Sequence, residues 1–563
     1  MRLSLSAHQR EQSLLWGSVA IGVISLTLLA ATMPAEGFYS GDSGVKLIAS
    51  RNAIEHPTRP FEVDLPAIEG RPVPYVDRFF DVHGNHAHVL QSPVFPVLSA
   101  FPIAAAGLRG AYILPLVSFI GMLPLLNVIR RHSASSAAVG LLVVLAVFAS
   151  PVFFYGLEYW EHAPAIACVA AGTALVMGST GRDARIAYVM AAAGALSGVA
   201  ILLRPEALWY VAALAWVSRR QPAFPGFLAG VAAMLVPFAA ANYLHSGSVT
   251  GPHLAANLAP LLDHWFAARG HRIRLWLLPG TPVAVLGFLL IGAAWIGQRA
   301  PLDQRRRQTL ALAGCAVIAV AATRGAFPRD SLWNAWPAGS LALVPFTTTD
   351  RTRRLWFLAL WTLVLVWLTS THDGGAQWGP RFLLIASPAL IVLATCAATD
   401  AIGPGYRRPL RQVLVVVILI AGAWTTRAAY RELRGTKRYY ARIVSTTQSV
   451  TALHGYVVSD VWWFDQVVAA LYQSRTFLYA PDAGSVRRIL QQLAVANVSD
   501  ATLVWTREGP ESAPLNDAAS GTCYHVSRVT DIQENNLTFA NIECSPALAT
   551  VPPPRSSVPD GSP

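Results

Sequence analysis

The residues best suited to chemistry in this chain lie where long apolar runs end. Gly41-Asp42-Ser43-Gly44 follows directly on the first such run, Ser13 to Met33. Charge at a membrane face is costly and is usually functional or paired. Asp42 is therefore either functional or a turn residue that caps the following helix through its first backbone N–H groups. Arg204-Pro205-Glu206 interrupts two apolar runs. Proline explains the helix break, and Arg204 either holds an anionic lipid headgroup or neutralises Glu206. In Gly374-Gly375-Ala376-Gln377-Trp378-Gly379-Pro380-Arg381, a glycine-rich segment opens a helix, so Arg381 and free backbone N–H groups could bind phosphate. The alternative is an interfacial tryptophan beside a snorkelling arginine.

Glu158 and Glu161, followed by His162, put two carboxylates and an imidazole in one short loop. Such a set can bind a divalent cation or orient a hydroxyl; equally, it can be a solvated loop in an aromatic belt. His83, His86 and His88 form a second close set, and alternate spacing puts His86 and His88 on one side of an extended strand. Zinc could bind such a set, but no cysteine or further fixed-spacing ligand accompanies them, so the cluster, His86 included, is read as a candidate substrate or phosphate contact. Arg269, Arg272, Arg274, Arg324 and Arg329 either recognise anionic lipid or sit at the interface. There is no Walker loop, dinucleotide fingerprint or nucleophile elbow, which disfavours nucleotide-driven transport and serine hydrolysis.

The elements that must position these residues are membrane helices. Of 563 residues, 54% are hydrophobic and only 13% charged, against roughly 25% charged in soluble domains. The net charge of +12 is dispersed in small arginine clusters, which set topology and do not form a nucleic-acid-binding face. Apolar runs set against those clusters give about thirteen spans. The first, Ser13 to Met33, is expected to stay in the membrane as an anchor. Arginine clusters fall in every second loop, from Arg2 and Arg10 to Arg407-Arg408 and Arg411. By the positive-inside rule those loops and the N-terminus face the cytoplasm, and the candidate residues face outward.

A polytopic α-helical domain is therefore expected over residues 1–426, with a long first outer loop at 34–91. Val45 to Ile54 reads as a short amphipathic helix on the membrane surface, and the proline-broken stretch Ser92 to Gly107 as an interfacial or re-entrant piece. Residues 427–548 change composition and read as a small extracytoplasmic α/β domain, with strands near Gly455–Ser459, Thr476–Tyr479 and Ala501–Thr506. Cys523 and Cys544 can pair there if that part is exported. Residues 549–563 read as a disordered tail.

With these motifs in view, the chain resembles the GT-C superfamily of membrane glycosyltransferases, which includes protein O-mannosyltransferases and the aminoarabinose transferases of lipid A. The resemblance rests on Gly41-Asp42-Ser43-Gly44 after a first span and before a long outer loop. It extends to Gln91-Ser92-Pro93-Val94-Phe95-Pro96, Arg204-Pro205-Glu206 and Trp378-Gly379-Pro380-Arg381-Phe382. Many relatives carry a second acid after the first; here Ser43 follows, leaving Asp42 as the sole acid at that point. The resemblance implies inverting transfer from a polyprenyl-phosphate sugar to a lipid, glycan or protein acceptor at the outer face of the cytoplasmic membrane. It assigns Asp42 as acceptor base and Arg204 and Arg381 as phosphate contacts, with Lys46 and His86 beside them. Glu161 would position the acceptor or an optional divalent cation. The competing reading is a secondary transporter or flippase of lipid-linked or anionic substrates. Transporters place ionisable residues near the bilayer midplane, whereas here they lie at helix ends.

Overall fold

The computed structural model describes residues 7–68, 70–72, 79–83, 86–130, 137–179, 184–251, 265–297, 303–345, 349–370, 377–402, 409–452, 455–506, 522–532 and 536–545. Gly374, Gly375, Ala376, Arg182, Arg299, Arg407 and the tail lie outside them. The chain divides into two compact units, residues 1–35 with 90–437 and residues 36–89 with 438–563.

The first unit is helical. Among the described residues, six helical runs are long and apolar enough to cross a membrane: Val94–Met122, Arg185–Leu203, Phe224–Leu244, Asp350–Thr369, Arg381–Ile402 and Pro409–Val450. Trp16–Ala31, His162–Gly178, Ala207–Ser218 and Pro282–Ile296 are shorter apolar helices. Phe101, Leu244 and Ile296 stand exposed on these helices, as on a surface solvated by lipid tails. The protein is a multi-pass membrane protein.

Although Val94–Met122 has the length of a single span, its backbone is not one rod. The helix Val94–Ala106 stops at Gly107, at φ 60 and ψ −150, a conformation open chiefly to glycine. The chain then doubles back so closely that a Cβ on Gly110 would lie 1.9 Å from the Pro102 carbonyl oxygen. The stretch Ser92 to Gly107, expected as an interfacial or re-entrant piece, thus enters a broken helical run that taken whole is long and apolar enough to span. Farther on, the seven-residue 3-10 helix Pro337–Leu343 is only about 14 Å long, too short to cross a membrane by itself. The last helix, Pro409–Val450, runs for 42 residues, and the division between units falls within it after Lys437.

The second unit joins residues 36–89 to residues 438–563, a grouping absent from the sequence reading, which attached the expected first outer loop to the membrane part. Gly41–Glu55 is a helix, but not an amphipathic surface helix: every residue from Ser43 to Ser50 is buried. It packs against the short helix Phe464–Val467 and the turn that follows. The approach is close enough that a Cβ on Gly44 would meet the Gln466 carbonyl oxygen at 1.7 Å. Arg51 Nη1 donates to the Ala469 and Ala470 carbonyls, each at 3.1 Å. Ile68 joins the apolar cluster of Val458, Leu478, Leu490 and Leu503.

The C-terminal sheet has five strands in the order Thr476–Tyr479, Tyr456–Ser459, Asp500–Thr506, Leu537–Cys544, Tyr524–Ile532. The first three are parallel, because helical segments connect them and a crossover returns each strand in the same direction. The last two form an antiparallel hairpin added at one edge. Cys523 and Cys544 are disulfide-bonded at 2.01 Å across that hairpin, the pairing expected from their positions.

Candidate functional site

Pro151 opens the short helix Val152–Gly156, and after a tight turn the chain enters the helix His162–Gly178. The intervening Leu157-Glu158-Tyr159-Trp160-Glu161 is buried throughout, so the solvated-loop alternative does not hold. Glu161 occupies the N-cap position without capping through its side chain. Its carboxylate turns instead to Arg204, accepting from Nη1 at 2.8 Å.

Arg204 ends the helix Ala184–Leu203, where Pro205 prevents continuation. Its Nε donates to Glu206 Oε1 at 2.7 Å, and its Nη2 pairs with the same carboxylate. The three side chains are 5–13% exposed. Burial works against the Arg204 charge, but Glu206 and Glu161 outweigh it and raise the guanidinium's proton affinity. Removing ions from water costs several kcal/mol apiece, so the triad holds only because each charge is matched.

Arg381 comes from a third segment. Gly379, at φ 68, and Pro380 turn the chain into the 3-10 helix Arg381–Ala386. Tyr155 anchors that turn, its hydroxyl donating to the Trp378 carbonyl at 3.1 Å. Arg381 Cζ lies 5.6 Å from the Trp160 ring centroid and 5.3 Å from that of Phe382, while Arg204 Cζ lies 5.4 Å from the Phe382 centroid. The structure thus brings Glu161, Arg204 and Arg381 together around two aromatic rings. The arrangement combines a compensated ion triad with a further cation, suited to an anionic group beside apolar surface.

Asp42 and Lys46 belong to the other unit. They lie four residues apart on the helix Gly41–Glu55, hence on one face. The N-cap residue is Ser40, so Asp42 stands in the first turn, where a carboxylate interacts favourably with the helix dipole. Lys46 is 2% exposed. His86 opens the strand His86–Val89, opposite Asp64 on one neighbour and His83 on the other; its side chain lies outside the described set. Among the described residues, no group of three or more His, Cys, Asp or Glu side chains is placed to hold a metal ion.

Of the other candidate arginines, Arg269 and Arg272 are buried and donate to the Leu368 and Ser370 carbonyls at the end of the helix Asp350–Thr369. Arg274 and Arg324 are exposed, and Arg329 pairs with Glu432. Sequence reasoning missed Lys437, which is fully buried. Its ammonium is 3.1 Å from Glu158 Oε2, donates to the Tyr112 hydroxyl at 2.6 Å, and lies 4.0 Å from that ring's centroid. A signal was present: of 43 basic residues only Lys46 and Lys437 are lysine, and both are buried.

No protein-family model matches the chain, and no curated protein matches its sequence. Among solved structures, ArnT from Cupriavidus metallidurans bound to undecaprenyl phosphate aligns with a TM-score of 0.53 at 12% identity, covering 95% of this chain and 99% of that one. The apo state of the same protein gives 0.52 at 12% over the same shares. The fold is GT-C-like. AglB from Archaeoglobus fulgidus, an archaeal oligosaccharyltransferase, aligns at 0.45 and 13% over 88% of this chain and 69% of that one. The full-length GT-C likeness takes in the C-terminal α/β part as well as the membrane helices.

Proposed function

We propose that this protein is an inverting glycosyltransferase that moves a sugar from a polyprenyl-phosphate donor to a lipid, glycan or protein acceptor. The reaction would occur at the outer face of the cytoplasmic membrane, with the N-terminus cytoplasmic and the C-terminal domain extracytoplasmic. The observation carrying this reading is the likeness, over nearly the whole length of both chains, to a structure that holds undecaprenyl phosphate. The arginine–aromatic cluster at helix ends supports it, since a phosphate on an isoprenoid chain needs cations next to apolar surface.

In this mechanism Asp42 accepts the proton of the acceptor hydroxyl. The oxygen attacks the anomeric carbon from the side opposite the phosphate, and the carbon–oxygen bond to phosphate breaks. The electron pair leaves with the phosphate, so configuration inverts. Arg381 stabilises the charge developing on the phosphate, with Lys46 and His86 as further contacts. Arg204, engaged by two carboxylates, acts as a positioning residue that fixes Glu161, and Glu161 orients the acceptor. No step is routed through a divalent cation, because the described residues do not form a ligand set for one.

The test is Asp42→Asn, assayed with an undecaprenyl-phosphate sugar donor. Losing the base should lower kcat by about 10²- to 10⁴-fold, while the protein still inserts and melts as before. Transfer at the wild-type rate would remove Asp42 from the mechanism.

A further inference from the structure

The helices that carry the Glu161–Arg204 cluster have a second common end. Ile186, near the start of Ala184–Leu203, and Val176 and Met177, at the end of His162–Gly178, border one cleft of about 430 Å³. Eighteen helical residues separate Ile186 from Arg204, about 27 Å of axial rise, close to the roughly 30 Å of a hydrocarbon core. The helix Asp350–Thr369 follows the same course: Asp350 borders the cleft, and Thr369 accepts from Trp209 Nε1 at 2.8 Å near the site end. The cleft therefore opens one membrane thickness from the candidate site, on the side of the arginine-rich loops.

Three arginines line it: Arg220, Arg351 and Arg354. Among the described residues none of the three has a carboxylate, carbonyl or ring partner. Asp350, also at the rim, is 86% exposed on its side chain and faces Arg353 at 3.6 Å, which leaves the cleft net positive. Gln221 ties its floor to the Val176 carbonyl at 3.4 Å, while Gln221 Oε1 is buried with no donor among the described residues. On the other side of Arg351 lies a second hollow of about 230 Å³, lined by Val128, Leu355, Val392 and Cys396 on its apolar side and by Thr349, Asp350, Arg351 and Thr352 where it meets the cleft. The positive-inside bias accounts for arginines at this face. It does not account for a cavity that collects three of them beside an apolar hollow and an unsatisfied acceptor.

We infer that this cleft binds the headgroup of an anionic phospholipid from the leaflet opposite the candidate site. Arg220, Arg351 and Arg354 would hold the phosphate, Gln221 Oε1 would accept from a headgroup hydroxyl, and the apolar hollow would receive part of an acyl chain. Bound there, the lipid would brace the ends of helices whose other ends carry Glu161 and Arg204.

The experiment uses the full chain purified in detergent, with phosphatidylglycerol, phosphatidylcholine and inorganic phosphate as probes. Native mass spectrometry reads retained lipid, and thermal unfolding reads stabilisation. Phosphatidylglycerol should be retained and should raise Tm where phosphatidylcholine does not. The variant R220A/R351A/R354A should bind it at least about tenfold more weakly, whereas R305A/R306A, altered at exposed arginines of another helix, should not change. Equal retention by the triple variant, or equal loss in R305A/R306A, would overturn the proposal. So would an equal Tm shift from inorganic phosphate, which would make free anion the ligand. Should the triple variant not fold, R220A/R354A, altered at two exposed positions, is held to the same criterion.

Discussion

Arg204 uses its three guanidinium nitrogens on two carboxylates, Glu161 and Glu206. That geometry supports the positioning role given to Arg204 in the proposed mechanism. Arg204→Ala would leave two poorly hydrated acids without their cation and should cost about 3–5 kcal/mol, read as a large drop in Tm or loss of folded protein. Arg381 is differently placed, against the Trp160 and Phe382 rings. Arg381→Ala should lower kcat/KM for the donor ten- to a hundredfold, the range of about 1.5–3 kcal/mol for a charged hydrogen bond. Unchanged donor kinetics would count against its contact with phosphate.

At the scale of elements, the helix Pro409–Val450 is tied to the turn between Val152–Gly156 and His162–Gly178 by Lys437 and Glu158, both fully buried. A buried pair is a weak source of net stability but an expensive one to break singly. Lys437→Met should therefore destabilise by about 3–5 kcal/mol, and Glu158→Leu comparably, whereas the double replacement should cost far less than their sum. Thermal melts of the four proteins of this cycle measure the coupling. Additive losses would mean that the pair is not in contact. The same turn contributes Glu161 to Arg204, so a register shift in either element would be felt at the candidate site.

In the whole molecule, residues 36–89 and the C-terminal residues form one unit. Asp42 stands on a helix that packs against Phe464–Val467, and Ile68 is buried in the C-terminal sheet's own apolar cluster. The C-terminal part is thus a structural support for the segment carrying the proposed base. A chain ending at Lys437 should lose transfer activity, and its residues 36–89 should become readily cleaved by protease in the inserted protein. Protection of that loop in the truncated chain would show that it folds without the C-terminal residues.

The amino-acid sequence by itself determined that this is a multi-pass helical membrane protein, where its apolar runs break, which residues stand at those breaks, and that a small α/β part follows. Those properties follow from local composition and from proline, glycine and charge placed along the chain, so they are readable without long-range contacts. The hairpin Tyr524–Ile532 and Leu537–Cys544 escaped because a bulge between Asn541 and Ile542 disturbs its alternation. Lys437 escaped because it lies in an arginine-rich helical stretch, and nothing local distinguishes a buried cation from a solvated one. Only tertiary structure decided that Glu161 and Glu206 share Arg204, that Phe382 lies by both arginines, and that the helix bearing Asp42 rests on residues more than 400 positions away. Those are pairings across sequence distance, fixed by the need to match every buried charge and fill every close contact.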